Sequence, residues 1–157
     1  MLYELNAHDI ERAALVAARM SMNAIRKNFR ETGMPIDDMT RFEQHLRGAK
    51  GELAVAYYTG LEWTAETEDW THDVGHLEVR SREWDDWMSL RITYRDLEKH
   101  APSQQFVLCR VDGRHVEILG WQTMANIHRL GNQHKWGAGL CWTLKADRLY
   151  PPDLLHG

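Results

Sequence analysis

The sequence predicts one α+β domain. Two long stretches with helical periodicity come first, a series of short alternating segments follows, and glycine- and proline-containing turns divide them. At 157 residues, with 43% hydrophobic and 27% charged residues, the chain can bury a core and has the balance of a soluble globular protein. No internal repeat, linker or low-complexity tract interrupts it.

Asn6 to Asn28 reads as the first helix: Ile10, Ala13, Ala14, Ala17 and Met20 make a small-residue apolar stripe free of proline and glycine. Arg19, Arg26, Lys27 and Arg30 gather in and just beyond its C-terminal half, where cations suit the helix dipole. Glu31-Thr32-Gly33-Met34-Pro35 breaks the pattern. A second helix is expected from about Asp37 to Tyr58, with Phe42, Leu46, Ala49, Leu53 and Ala56 as a narrow buried seam. Gly48 and Gly51 lie within it, each costing about 1 kcal/mol relative to alanine. Glycine there suits close packing against a sheet or close approach of a substrate. After Thr59-Gly60 the period changes to two, predicting strands at Asp73–Ser81, Ser89–Thr93, Gln105–Val111 and His115–Gln122. Asp112-Gly113 signals a hairpin between the last two. Asp96–His100 reads as one helical turn ended by Ala101-Pro102, and Ala125–Leu130 as the start of another. Gly131–Leu149 is rich in glycine and aromatics, and Pro151-Pro152 stops regular structure before the tail.

Cys109 and Cys141 are far apart and have neither zinc-knuckle nor disulfide-framework spacing, which fits a reducing compartment. Met1 to Arg12 hold no uninterrupted apolar run, so no signal peptide is expected, and no stretch is long enough for a membrane span. The cytoplasm is the expected compartment. Net charge is −4, but it is unevenly distributed. Between Ala65 and Asp86 eight acidic residues face two arginines, leaving a local balance of −6 and +2 for the rest of the chain. The run Glu66-Thr67-Glu68-Asp69 by itself reads as a solvated acidic loop.

Two features carry chemistry: Gly51-Glu52 in the second helical pattern, and Asp73-Val74-Gly75-His76-Leu77-Glu78-Val79-Arg80. Strand alternation puts Glu78 and Arg80 on one face and Leu77 and Val79 on the other. Glu52, beside the buried Leu53, lies at the edge of its helix seam. Phosphodiester cleavage needs an ion that polarises the phosphate and acidifies a water, and hard ions such as Mg²⁺ take oxygen ligands. Asp73, Glu78 and Glu52 would supply those oxygens, with the Val79 carbonyl as a fourth. Arg80 would orient the water or neutralise charge developing on the phosphate.

The order helix-Gly-Glu, then Asp, then Glu-x-Lys on a strand resembles the PD-(D/E)XK nuclease superfamily, in particular its small phage-encoded nuclease-like members. The resemblance runs from about Gly48 to Trp121 through Gly51-Glu52-Leu53-Ala54-Val55, Asp73-Val74-Gly75, Glu78-Val79-Arg80 and Leu119-Gly120-Trp121. Cys141-Trp142-Thr143-Leu144, Leu149 and Leu154 are similar to the tail of such proteins. It implies a restriction-endonuclease-like core, a central mixed sheet flanked by helices. It further implies Mg²⁺- or Mn²⁺-dependent cleavage of nucleic acid, DNA ahead of RNA, by Glu52, Asp73, Glu78 and Arg80. Such a phage-encoded chain would act in the host cytoplasm, and the resemblance leaves room for a homodimer. Two departures stand out. Arginine occupies the lysine position and cannot serve as a base, and Asp73 precedes Glu78 by only five residues, so a tight turn at Gly75 is required.

Other readings stay open. A catalytically inactive protein on the same scaffold would grip nucleic acid or a host protein, and an unrelated α+β domain would carry the acidic strand as mere surface. His72 and His76 have the spacing of helical zinc ligands, but Gly75 and the β pattern argue against a helix there. His128, Arg129, His134 and Lys135 read as a phosphate-holding cluster or an exposed loop of mixed character. Trp63, Trp121 and Trp142 are assigned to the core, Trp84 and Trp87 to the surface. No Ser-His-Asp triad or phosphate-cradling glycine loop is evident in the sequence: Gly137-Ala138-Gly139 lacks the following helix and lysine.

Overall fold

A computed structural model of the chain describes residues 1–26, 37–67, 72–83, 88–136 and 139–155. A short strand β1 (Leu2–Glu4) leads into α1 (Ala7–Arg26), whose start is tied by reciprocal bonds: Asn6 N–H donates to Asp9 Oδ2 and Asp9 N–H to Asn6 Oδ1, both at 3.0 Å. The buried stripe of α1 is Ala13, Val16, Ala17 and Ser21, with Ile10 and Met20 at its border. Helix α2 (Asp38–Thr59) opens on the N-cap Asp37 and closes on Gly60, whose φ of 72° is the left-handed conformation glycine accepts freely. No residue of its first half is fully buried, and Phe42 and Leu46 of the expected seam are only partly so. From Gly51 to Ala56 every residue is buried, so this stretch is enclosed on all sides rather than lying against one surface, and exposure returns at Tyr57.

A four-residue helix α3 (Thr64–Thr67) follows. The strand expected from Asp73 begins only at Glu78. Gly75, at φ +54°, turns the chain between Val74 and Leu77, whose backbones bond in both directions (3.2 and 2.8 Å), and β2 (Glu78–Arg82) starts after that turn. Strand β3 (Ser89–Thr93) has its expected bounds and runs directly into α4 (Tyr94–Lys99). Thr93 and Asp96 form a full capping box at the start of α4. Strands β4 (Gln105–Asp112) and β5 (His115–Thr123) make the hairpin; Asp112 pairs with His115, and Gly113 supplies a positive φ of 56° in the two-residue loop. Helix α5 (Met124–Leu130) is capped by Thr123. The glycine- and aromatic-rich stretch after it forms two strands, β6 (Asn132–Trp136) and β7 (Gly139–Lys145), so His128 and Arg129 lie on α5 and His134 and Lys135 on β6 rather than on a loop.

The strands make two sheets. The first has order β1-β5-β4-β2 and is mixed: β2 runs parallel to β4, whereas the other pairs are antiparallel. The second, β3-β7-β6, is antiparallel. One face of the mixed sheet, carrying Val79, Val107, Cys109, Val111, Val116 and Ile118, packs on α1 and α2. Its other face presents Phe106 and Leu108 to Leu90 and Ile92 of β3, Trp142 and Leu144 of β7, and Met124 and Ile127 of α5. Helices therefore flank one face, while the second sheet with α5 covers the other.

Trp63 and Trp142 are buried, and Trp121 is half-buried against the helix-side core. Trp84 and Trp87, the acidic residues Glu68 and Asp69, and the break at 31–35 lie outside the described residues. Both cysteines are free thiols and buried. Among the described residues no helix is long and apolar enough to cross a membrane.

Candidate functional site

Strand β2 is one of the two outer strands of the mixed sheet, and its pairing with β4 sets which way each side chain points. Val79, opposite Val107, faces the helices. Glu78 and Arg80, opposite Phe106 and Leu108, face the second sheet. The Arg80 guanidinium lies over the Phe106 ring, 5.0 Å from its centre.

Asp73 reaches this edge because the Gly75 turn folds its segment back along β2. Its Oδ2 accepts the Val79 N–H at 2.7 Å and lies 3.6 Å from Arg80 Nη1. The same Arg80 nitrogen is 3.5 Å from Glu78 Oε2. Arg80 Nη2 donates to Asp96 Oδ1 at 2.9 Å, and Arg80 Nη1 makes a long 3.3 Å contact with the Val79 carbonyl. Asp96 divides its work: Oδ2 caps α4 by accepting from Thr93 N–H and Oγ–H, while Oδ1 holds the arginine. Three carboxylates thus converge on one guanidinium.

Glu52 approaches from the helix side. It is 7% exposed, and its Oε2 accepts the indole N–H of Trp63 at 2.8 Å. Beside it, Gly51 lets α2 settle onto the sheet: a Cβ there would stand 1.9 Å from Ser81 Oγ, 3.2 Å from Ser81 Cβ and 3.3 Å from Cys109 Cβ. Close packing against the sheet, one of two roles open to this glycine from the sequence, is the one it fills.

Electrostatics link the group. Burial pushes the Glu52 pKa up to about 8; Asp73 adds to the rise, and the Trp63 hydrogen bond and Arg80 oppose it. Burial also lifts Asp73 to about 6 against the pull of Arg80, with Glu78 raising it further. Burial would weaken the hold of Arg80 on its proton, but Asp73, Asp96 and Glu78 more than offset this, and its pKa rises. The carboxylates are therefore in excess over the nearby cation. Ionising all of them together is costly unless further positive charge is present.

The second oxygen of Glu78 faces two imidazoles. His72 Nδ1 is 3.2 Å and His100 Nε2 3.7 Å from Glu78 Oε1. Burial, then the charge of Lys99, lowers the His100 pKa and favours its neutral ring. His76, by contrast, is exposed and offers its carbonyl to Gln104 Nε2 at 2.6 Å. The structure therefore brings Asp73, Glu78 and Arg80 into direct ion-pair range and sets Glu52 within their electrostatic influence. To these it adds Asp96, His72 and His100. Asp96 carried a local signal, the Thr93-x-x-Asp96 capping pattern, but that pattern says nothing of its second oxygen. His100 carried no signal, because its place depends on how α4 packs beside β2.

Neither the sequence nor the fold matches a protein-family model, a curated protein or a solved structure.

Proposed function

We propose that this chain is a metal-dependent nuclease that hydrolyses phosphodiester bonds, with DNA as the favoured substrate, on a restriction-endonuclease-like core. The observation that carries this reading is the convergence of Asp73 and Glu78 on Arg80 at a sheet edge, with buried Glu52 adding to a surplus of carboxylate. The charge balance of this set suits a hard dication: oxygen-rich, short of positive charge, and raised in pKa at Glu52 and Asp73. Its three carboxylates do not all lie within 4.8 Å of one another, so they would have to close in around the ion. Asp73, Glu78, Glu52 and the Val79 carbonyl would hold Mg²⁺ or Mn²⁺, which when bound polarises the phosphate and acidifies a water.

The remaining chemistry belongs to the chain. Arg80 keeps its charge at every working pH, so it stabilises an anionic phosphate and orients it without taking a proton. Asp96 and the Phe106 ring hold the guanidinium in place. The Val79 N–H fixes one oxygen of Asp73, so the carboxylate reaches the site without a large loss of side-chain freedom on binding.

A second reading has its own observation. Asp96, Glu78 and Asp73 already engage Arg80, so a phosphate must compete with them for it. A nuclease-fold protein that binds nucleic acid or a host protein without cutting would tolerate this arrangement.

One assay separates the two: degradation of labelled DNA and RNA with Mn²⁺, with Glu78→Ala as control. Cleavage by the wild type that is lost in the variant supports the nuclease. Binding of nucleic acid without cleavage under any divalent ion supports the binding protein. A chain that neither cuts nor binds removes both nucleic-acid readings and leaves a host protein as the partner to seek.

A further inference from the structure

Glu78 presents its two oxygens to different chemistry. Oε2 faces Arg80, while Oε1 faces His72 Nδ1 at 3.2 Å and His100 Nε2 at 3.7 Å. The three donor atoms His72 Nδ1, Glu78 Oε1 and His100 Nε2 lie within 4.8 Å of one another. A first-row ion bound at about 2.0–2.2 Å in tetrahedral geometry spaces its ligands about 3.3–3.6 Å apart. Two of the observed separations bracket that range, and the third, between the imidazoles, is within 4.8 Å.

The donors are also held. His100 ends α4, with its N–H on the Asp96 carbonyl at 3.0 Å, and its ring stands edge-on to Phe106 at 5.8 Å. The side chains of His100 and Glu78 are 3% and 5% exposed, whereas that of His72 is 32% exposed. The 3.7 Å separation is too long for a hydrogen bond between Glu78 and His100. Arg80 stands in ion-pair range, 3.5 Å, of the opposite oxygen, the position of a charged outer partner to a metal-bound carboxylate.

We infer that His72, Glu78 and His100 form a three-ligand site for Zn²⁺, leaving the remaining coordination position to water. Two imidazoles and one carboxylate suit a borderline transition ion and disfavour Mg²⁺, which prefers oxygen throughout. The site shares Glu78 with the proposed nuclease chemistry but rests on two histidines that chemistry leaves unused.

The test uses the full chain. Co²⁺, a spectroscopic stand-in for Zn²⁺, is titrated while its visible d–d bands are followed, and Zn²⁺ then displaces it. The expected result is one saturable equivalent with the intense bands of low coordination number, displaced by Zn²⁺ and resistant to excess Mg²⁺. His72→Ala should weaken binding by about tenfold or more, His100→Ala likewise, and His76→Ala not at all. Should His100→Ala fail to fold, the more exposed His72→Ala decides alone. A wild type without a saturable equivalent, or a His72→Ala chain that binds as tightly as the wild type, overturns the site. Mn²⁺-supported cleavage is read in parallel. Cleavage without a Co²⁺ site removes only this inference, and a Co²⁺ site without cleavage removes only the nuclease.

Discussion

Arg80 Nη2 lies 2.9 Å from Asp96 Oδ1, joining an outer strand of the mixed sheet to the first turn of α4. Asp96 also caps that helix, so one carboxylate both starts α4 and orients the arginine. Asp96→Ala removes both the N3 half of the Thr93–Asp96 capping box and the ion pair with Arg80. It should destabilise by about 1 kcal/mol or more, the scale of a lost hydrogen bond to a charged group, with urea unfolding as the measurement. A loss well under that value would mean that neither role matters to stability.

Removing the guanidinium should have a pH signature. Arg80→Met leaves Asp73, Glu78 and Asp96 facing one another, so the variant should be destabilised at neutral pH by about 1–3 kcal/mol, discounted from the fully buried case because the group is partly exposed. The deficit should shrink as the carboxylates protonate on acidification. A deficit that does not change between pH 7 and pH 5 would contradict the electrostatic account.

Glu52 predicts a different dependence. Its folded pKa is raised to about 8 from an ordinary 4.5, so between those values the folded protein holds a proton that the unfolded chain has released. This stabilising contribution is complete below about pH 4.5 and is lost as pH rises through about 8. The Asp73 contribution has the same sign over a lower window, 3.8 to about 6. Glu52→Gln keeps an acceptor for the Trp63 N–H but cannot ionise, so thermal unfolding should become less sensitive to pH between 5 and 8. An unchanged slope would mean that Glu52 titrates normally.

Those same shifts bear on metal binding. A dication that takes ionised Glu52 and Asp73 must displace protons, so Mn²⁺ affinity should rise from pH 6 to pH 8. Calorimetry in buffers of different ionisation enthalpy counts the protons released. Asp73→Asn should bind Mn²⁺ more weakly; equal affinity would show that Asp73 is not a ligand.

Arg80 separates the two functional readings at the level of rate. In an active nuclease, Arg80→Lys should retain measurable cleavage because the positive charge stays at the phosphate. Arg80→Ala should lose about 10²–10³-fold, the scale for one positioned electrostatic donor. Binding of DNA in Ca²⁺ should change far less. Equal rates for the wild type and Arg80→Ala would remove the arginine from the chemistry.

Local patterns in the sequence determined much of this protein. The 3.6-residue period set α1 and α2, Asp37 and Gly60 supplied the ends of the second helix, and period two with Asp112-Gly113 set β3 and the β4–β5 hairpin. Alternation alone put Glu78 and Arg80 on one face. These features rest on neighbours a few residues apart, where side-chain spacing and backbone preference act directly.

Tertiary structure decided the rest. Glycines and aromatics hid β6 and β7 from a reading by period, because pairing with β3 and burial of Trp142 and Leu144, not local propensity, make that stretch β. The parallel pairing of β2 with β4 made β2 an outer strand and turned Glu78 and Arg80 toward the second sheet. That pairing, with α4 docked alongside, brought Asp96 to the Arg80 guanidinium and His100 to the Glu78 carboxylate. Contacts of that kind follow from which surfaces bury each other, and no local period encodes them.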